Sequence, residues 1–220
     1  MEFESPLQID HLNARIESTT YPIILRTVQE EDAAIYAELL FGKRNNPEAT
    51  SDTVDVAKGL EIVKGHRTKM ATPTVVGADG RVVSGPPKVN MVVVLKGDNG
   101  KDEEVIGLGG YGAIKDWVRD GVNVRAGDAG VMLDVAYRGK GYAVEAMKLA
   151  IDWAFLPVSQ GGPQLDLVTI TTSTTNAAMI KLTEEHLGLK GKGVTRPGEF
   201  SPSEEYWEMN KAQWEEAKST

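Results

Sequence analysis

The chain has 220 residues, of which 41% are hydrophobic and 25% charged, enough for one packed core with an ordinary polar surface. A formal net charge of -8 argues against a nucleic-acid partner, because phosphate binding needs a basic face. The sequence contains no cysteine, which excludes disulfides and thiol nucleophiles, and its apolar runs are too short for a transmembrane helix.

The first 20 residues show neither helical nor strand periodicity, so we treat them as an N-terminal arm and expect a single domain over residues 21–220. They also lack the basic-then-apolar pattern of a secretory signal, which favours a cytoplasmic protein. After a short strand at residues 23–26, the spacing of apolar residues predicts a helix over 32–41. Ser51 and Asp52 are candidates to cap a second helix.

The rest of the chain alternates turn signals with apolar segments. Close spacing of Gly, Pro and Asp predicts a hairpin or surface loop at residues 71–88, and further turns or loops are expected at 96–100 and 115–127. The segments with the composition of strands are 89–95, 103–114, 129–135, 165–171 and 193–196. Helical spacing recurs at residues 142–155 and 176–187. No internal repeat or linker interrupts this order, which indicates one α+β domain.

Residues 130–143, GVMLDVAYRGKGYA, carry the most chemical information because they join a strand to the start of the longest predicted helix. A helix N-terminus presents unpaired N–H groups and the positive end of the helix dipole. Small residues in the turn let a ligand approach the backbone, and Arg138 and Lys140 add positive charge. The segment therefore predicts an anion site suited to a pyrophosphate.

This turn resembles the acetyl-CoA motif of the GNAT superfamily of N-acetyltransferases, which reads Arg or Gln, two residues, Gly, one residue, then Gly or Ala. Arg138, Gly141 and Ala143 match all three positions. Residues 176–188 resemble the family's Asn-led helix, and residues 206–214 are similar to the closing strand of the branch that includes ribosomal-protein N-terminal acetyltransferases. The resemblance runs in order over residues 22–215.

The resemblance implies an α+β fold with a mixed, mostly antiparallel central sheet that is flanked by helices and splayed at the acetyl-CoA strand. It implies an enzyme that moves the acetyl group of acetyl-CoA to a primary amine, of a small molecule or a peptide, by direct attack in a ternary complex. The expected partners are acetyl-CoA and this amine, no metal is expected, and a homodimer is left open. The residues that the resemblance assigns to the cofactor are Leu133, Asp134, Val135, Arg138, Gly139, Lys140, Gly141, Tyr142, Ala143 and Asn176.

Acetyl transfer needs a base, because the attacking amine must lose a proton from its ammonium form. In the family this base is often a carboxylate on the strand before the turn. Asp128 lies at that position and Asp134 is the second candidate, with a structural role at a strand end as the alternative for both. Many family members carry a tyrosine acid where this chain has Thr183. Tyr111 is a candidate substitute, with a place in the core as its alternative.

Two other functions remain as alternatives. Gly107, Gly109 and Gly112 fit a G-x-G-x-x-G pattern, with Asp134 at about the spacing of a ribose carboxylate, as in a nucleotide-dependent oxidoreductase. The strand before Gly107 is short and no full helix follows Gly112, so the glycines fit better in a strand that a substrate or a neighbouring backbone approaches. The missing tyrosine leaves open a CoA-binding module without catalysis.

Overall fold

A computed structural model describes residues 7–45, 54–97, 102–199 and 201–219. The β-strands of these ranges are β1 (Gln8–Ile9), β2 (Arg15–Glu17), β3 (Ile23–Thr27), β4 (Thr74–Val76), β5 (Val82–Ser84), β6 (Val89–Lys96), β7 (Asp102–Arg119), β8 (Val122–Ala129), β9 (Met132–Leu133), β10 (Leu167–Ser173), β11 (Val194–Pro197) and β12 (Ser203–Met209). The α-helices are α1 (Ala33–Phe41), α2 (Val56–Met70), α3 (Tyr142–Ala154), α4 (Ala177–Lys181) and α5 (Lys211–Lys218).

The central sheet has the strand order β11-β12-β10-β8-β7-β6-β3-β2, with β9 paired to β7. Every neighbouring pair in it is antiparallel except β8 and β10, which are parallel. This confirms the α+β fold with a mixed, mostly antiparallel sheet. A smaller sheet, β1-β4-β5, includes the hairpin predicted at residues 71–88.

The sheet splays between β8 and β10. The two strands pair only from Ala126 to Asp128 and from Leu167 to Thr169. Beyond these residues β10 continues beside β12, whereas the chain after β8 turns away and pairs with β7 as β9. A gap with free backbone edges therefore opens after Asp128, and the chain leaves it at the N-terminus of α3.

Packing against α3 fixes which face of the sheet each residue of β8 occupies. Tyr111 is fully buried, and its hydroxyl donates to the Ala150 carbonyl of α3 over 2.7 Å. A Cβ on Gly127 would lie 2.7 Å from the Tyr111 ring, so position 127 faces α3. Because side chains alternate along a strand, Asp128 points to the opposite face of the sheet.

Several predicted boundaries differ from the structure. The loop expected at residues 115–127 is wrong: β7 continues to Arg119 and β8 begins at Val122. The strand expected at 129–135 is a two-residue strand, β9, followed by a 3₁₀ turn, and the helix expected at 176–187 is α4 continued by one π-helical turn, Leu182–His186.

The start of the second helix also differs from its prediction. The N-cap of α2 is Asp55, whose carboxylate accepts the Lys58 N–H over 3.0 Å. Ser51 and Asp52, the predicted caps, lie outside the described residues.

The segment treated as an N-terminal arm contributes to both sheets. β1 pairs with β4 and β2 pairs with β3. The buried His11 connects the two sheets, since its Nε2 lies 2.9 Å from the hydroxyl of Thr74 on β4 and its backbone carbonyl accepts the hydroxyl of Thr27 on β3 over 2.7 Å. The domain boundary after residue 20 stays a prediction.

Candidate functional site

The turn before α3 has the geometry of an anion cradle. Gly139 and Gly141 adopt φ angles of +75° and +83°, in the left-handed region that glycine occupies without strain. The first intrahelical bond runs from the Glu145 N–H to the Gly141 carbonyl, so the N–H groups of Tyr142 and its two successors precede the helical ladder. The space beside Gly139 is open to 4 Å. These features fit a bound pyrophosphate.

Arg138 joins this turn to the splayed strand. Its Nε donates to the Leu133 carbonyl over 3.0 Å, which ties the start of the turn to β9. On the other edge of β9, the Asp134 N–H donates to the Ile106 carbonyl of β7 over 2.9 Å. Because N–H groups alternate along an extended strand, those of Leu133 and Val135 face the gap of the splay instead.

The segment after α1 meets this edge through two side chains, Asn45 and Arg44. The Asn45 side-chain oxygen accepts the Val135 N–H over 3.0 Å. Arg44 Nη2 lies 2.8 Å from Asp134 Oδ1, and the same oxygen accepts the Ala136 N–H over 2.8 Å. Asp134 is therefore held in an ion pair and a backbone turn, and its roles as a second candidate base and in binding the cofactor stay predictions. Asn46 and Pro47 lie outside the described residues.

Asp128 lies where β8 and β10 part. Its Oδ1 accepts hydrogen bonds from the hydroxyls of Thr169 and Thr171 on β10, each over 2.9 Å. Burial raises the pKa of the Asp128 carboxyl above its ordinary value, and the two hydroxyl donors and Arg196 oppose this rise. A carboxylate whose pKa is raised in this way holds a proton more readily than a solvated one, as a general base must.

A cavity of about 840 Å³ opens beside Asp128 on the face of the sheet away from α3. We call it the Asp128 cavity; its walls include Lys115, Trp117, Asp128, Thr171, Arg196, Glu204 and Tyr206. Two carboxylates of the C-terminal segment, Glu199 and Glu204, line the cavity, whereas Glu205 and Glu208 do not appear in its walls. The Glu208 carboxylate instead accepts two hydrogen bonds from Arg119, of 2.7 and 2.8 Å.

The candidates for a general acid are enclosed in the fold. Thr183 is fully buried on the π-helical turn, and its hydroxyl has no hydrogen-bond partner among the described residues. Tyr111 belongs to the core and is bound to α3, which is the alternative foreseen for it.

Asn176 caps α4 by accepting the Met179 N–H over 3.2 Å, and its amide donates to Thr172 over 3.0 Å. Its contact with the cofactor stays a prediction.

The glycine pattern of β7 serves strand packing. Gly107 pairs with Leu133, and a Cβ at position 107 would come within 2.5 Å of the Met132 carbonyl. All three glycines of the G-x-G-x-x-G pattern lie inside β7, which is followed by β8. A dinucleotide fold would instead continue from this pattern into a helix.

Residues 23–190 match the profile of the family described as "Acetyltransferase (GNAT) domain". The chain belongs to the GNAT acetyltransferase family. Solved structures with the same fold include FdhC, a nucleotide-linked sugar GNAT, at 15% identity and a TM-score of 0.62, with 94% of this chain and 96% of that chain covered. A search of curated protein sequences finds no match.

Two further members of the family with this fold act on ribosomal proteins. RimL, a ribosomal L7/L12 alpha-N-protein acetyltransferase solved in complex with coenzyme A, has 12% identity and a TM-score of 0.61, covering 90% of this chain and 98% of its own. The ribosomal-protein-S5-alanine acetyltransferase of Vibrio fischeri has 18% identity and a TM-score of 0.55, covering 92% and 99%. At such identities these neighbours establish the fold alone, and the resemblance to the ribosomal-protein branch stays a prediction.

No group of three or more His, Asp or Glu side chains in the described ranges is arranged to hold a metal ion. Among the helices of those ranges, none combines the length and the apolar character needed to cross a bilayer.

Proposed function

We propose that the protein transfers the acetyl group of acetyl-CoA to a primary amine by direct attack in a ternary complex. The observation that carries this proposal is the continuity of the site. The cradle at Gly139–Gly141, the N–H groups of Leu133 and Val135, and the carboxylate of Asp128 follow one another along the splay. The pyrophosphate, the extended pantetheine arm and the acetyl group of acetyl-CoA would contact these three parts of the site in that order.

Each part of the chain has a distinct task in this proposal. The N–H groups at the start of α3, with Lys140, bind the pyrophosphate of acetyl-CoA, which supplies an activated acetyl thioester. The N–H groups on the free edge of β9 bind the pantetheine arm of acetyl-CoA. They also stabilise the negative charge that develops on the oxygen of its acetyl carbonyl. The acceptor amine enters from the Asp128 cavity.

Asp128 acts as the base. It takes a proton from the ammonium group of the acceptor, directly or through a water molecule, so that the free amine forms a bond from nitrogen to the acetyl carbon. The bond from this carbon to sulfur then breaks, and the coenzyme leaves as a thiolate that takes up, through water, the second proton that the nitrogen loses as it becomes an amide. Because Thr183 is buried, no side chain at that position protonates the thiolate.

The test is an assay of thiol release from acetyl-CoA over a panel of amines that includes spermidine, tyramine, free amino acids and peptides with a free N-terminus. Mass spectrometry of the products identifies the acetylated amine. We expect amine-dependent thiol release. Binding of acetyl-CoA without turnover on any amine would favour the non-catalytic CoA-binding module instead.

A further inference from the structure

The Asp128 cavity holds positive as well as negative side chains. Its walls include Asp128, which lies where the sheet splays, and Arg196 on β11. Lys115 lines the same cavity as a second cation. A site built only for a polyamine would be expected to hold carboxylates alone, because each added cation repels the ammonium groups of the ligand. The mixture of charges points to an acceptor that is itself of mixed charge.

Among the described residues, no group accepts a hydrogen bond from the Arg196 guanidinium. The guanidinium lies over the Tyr206 ring, with its central carbon 4.0 Å from the ring centroid. Its nearest carboxylate oxygen is on Glu204, 3.9 Å from Nε, which is too far for a hydrogen bond. Within the described part of the chain, the other contact of the guanidinium is therefore the aromatic face, and its donors remain available to a ligand.

The surroundings of Arg196 hold the side chain without neutralising it fully. Glu204 is mostly buried, with 9% of its side chain exposed, and its Oε1 accepts the Glu199 N–H over 3.2 Å. The Arg196 side chain is 45% exposed, so a single long ion pair with Glu204 contributes little. Stacking on Tyr206 limits the rotation of the guanidinium plane, and a planar guanidinium matches the two oxygens of a carboxylate.

We propose that the acceptor is an amino acid-like amine whose carboxylate is bound by Arg196 while its ammonium group faces Asp128. This inference rests on the proposed acetyl transfer and names the class of acceptor. The opposite charges of the acceptor match the opposite charges of the cavity, and the orientation directs the amine towards the splay. Arg196 is thus a specificity-determining residue and takes no part in the chemical step.

The test compares free amino acids with their carboxamides, which keep the shape and the amine but lose the negative charge. L-methionine, L-phenylalanine and L-glutamine are each assayed against the matching carboxamide, with spermidine as a carboxylate-free amine. For at least one acid we expect kcat/KM to exceed that of its carboxamide by about 10- to 100-fold, the size of a charge-assisted hydrogen bond. Equal or faster acetylation of the carboxamides or of spermidine would overturn the proposal.

The Arg196→Met variant removes the charge and keeps an unbranched chain over Tyr206. Assayed on the alkaline plateau of the pH–rate profile, where Asp128 is ionised with or without the Arg196 charge, it should raise KM for the preferred acid about 10-fold or more, change kcat little, and leave the carboxamide unaffected. Lys211→Met removes an exposed cation at the start of α5 and serves as the control. An unchanged KM for the acid in Arg196→Met would contradict the assignment.

The failures of the two proposals can be distinguished. If acetyl-CoA does not bind, the proposed function itself is wrong. If acetyl-CoA binds but only carboxylate-free amines are acetylated, the function stands and the assignment of Arg196 is wrong. If nothing is acetylated, calorimetric titration of the three amino acids into the CoA-saturated protein decides: binding that Arg196→Met weakens supports the assignment, and absence of binding overturns it.

Discussion

At the scale of single residues, Asp128 combines a position at the start of the splay with a carboxyl group whose pKa is raised by burial. Its hydrogen-bond donors come from Thr169 and Thr171 on the neighbouring strand. An asparagine would keep an oxygen for both hydroxyls but could not accept a proton. The substitution Asp128→Asn therefore separates the chemical role of this side chain from its structural role.

Asp128→Asn should lower kcat about 100-fold or more and leave the affinity for acetyl-CoA unchanged. A base works in its ionised form, so wild-type kcat/KM should fall as pH drops through the raised pKa of Asp128. The variant should lose this acidic limb of the pH–rate profile. Asp79→Asn, in the turn between β4 and β5, is the control. A variant that keeps the wild-type profile would return Asp128 to a structural role.

The same pKa shift predicts a gain in stability for this variant. Between the ordinary and the raised pKa the folded state holds the Asp128 proton more tightly than the unfolded state, so the stability contribution of the carboxyl falls as pH rises through this window. Asp128→Asn avoids burying a charge, and its Tm at pH 7 should be equal to or above that of the wild type. A lower Tm at pH 7 would contradict this account.

The two glycines of the cradle allow a matched comparison. Gly139 and Gly141 share a positive φ, but a Cβ at position 141 would lie 2.7 Å from the Tyr21 hydroxyl, whereas position 139 is open. Gly139→Ala should lower the free energy of unfolding by about 1 kcal/mol through backbone strain, and Gly141→Ala by more, because Tyr21 must also move. Urea denaturation measures both. Equal losses of unfolding free energy in the two variants would show that the Tyr21 side chain moves aside without a measurable cost.

The sequence predicted the residues of this turn because its constraint is local: only small residues suit the left-handed positions and the close approach to a ligand. It did not predict the contacts of Asn45 or Tyr21 with the site. Both arise where segments distant in the chain meet, with Asn45 reaching Val135 and Tyr21 lying on Gly141. No local pattern encodes such pairs.

At the scale of elements, the segment after α1 competes with the expected ligand for the free edge of β9. The Val135 N–H, which the proposed function assigns to the arm of acetyl-CoA, donates to Asn45. The Asn45 amide nitrogen is buried without a partner among the described residues, so this contact leaves both N–H donors of the amide unsatisfied. Breaking the hydrogen bond between the Val135 N–H and Asn45 should therefore cost little free energy.

Asn45→Ala should therefore strengthen binding of acetyl-CoA by about 2- to 10-fold, because one competing hydrogen bond is removed. Isothermal titration of the wild type and the variant measures the difference. Lys58→Ala, on α2, provides the control for a change near these helices that does not touch β9. Weaker binding in Asn45→Ala would indicate that Asn45 supports the cofactor.

The long extension of β7 and β8 shows why one element escaped prediction. Beyond the core of the sheet the two strands form a two-stranded ribbon, and its apolar residues do not share a buried face: Val118 is 77% exposed and Val122 is 41% exposed. Strands are recognised in sequence by an apolar face that alternates with a polar one. Because the extended part of β7 and β8 has no such apolar face, its sequence resembles that of a loop.

At the scale of the whole molecule, the N-terminal segment joins the two sheets through His11. Burial lowers the pKa of this imidazole from 6.5 to about 4. Between these values the folded state binds fewer protons than the unfolded state, so the stability contributed by neutral His11 is present above pH 6.5 and is lost as pH falls towards 4.

His11→Gln should reduce this acid sensitivity. We expect the wild type to lose up to about 3 kcal/mol of unfolding free energy between pH 7 and pH 4 through His11, and the variant to lose correspondingly less. Denaturant titration at both pH values measures it. His186→Gln, at an exposed position on the π-helical turn, is the control. An identical loss in wild type and His11→Gln would refute the assignment.

The central claim is that the splay and the turn before α3 bind acetyl-CoA. The most direct measurement is thermal unfolding of the protein with acetyl-CoA, CoA and NADH in parallel, together with the variant Lys140→Glu, which reverses a charge in the cradle. At about one hundred times Kd, acetyl-CoA and CoA should raise Tm by about 5 to 10 °C, with a smaller rise in the variant and none with NADH. A rise with NADH alone, or with no ligand, would contradict the account.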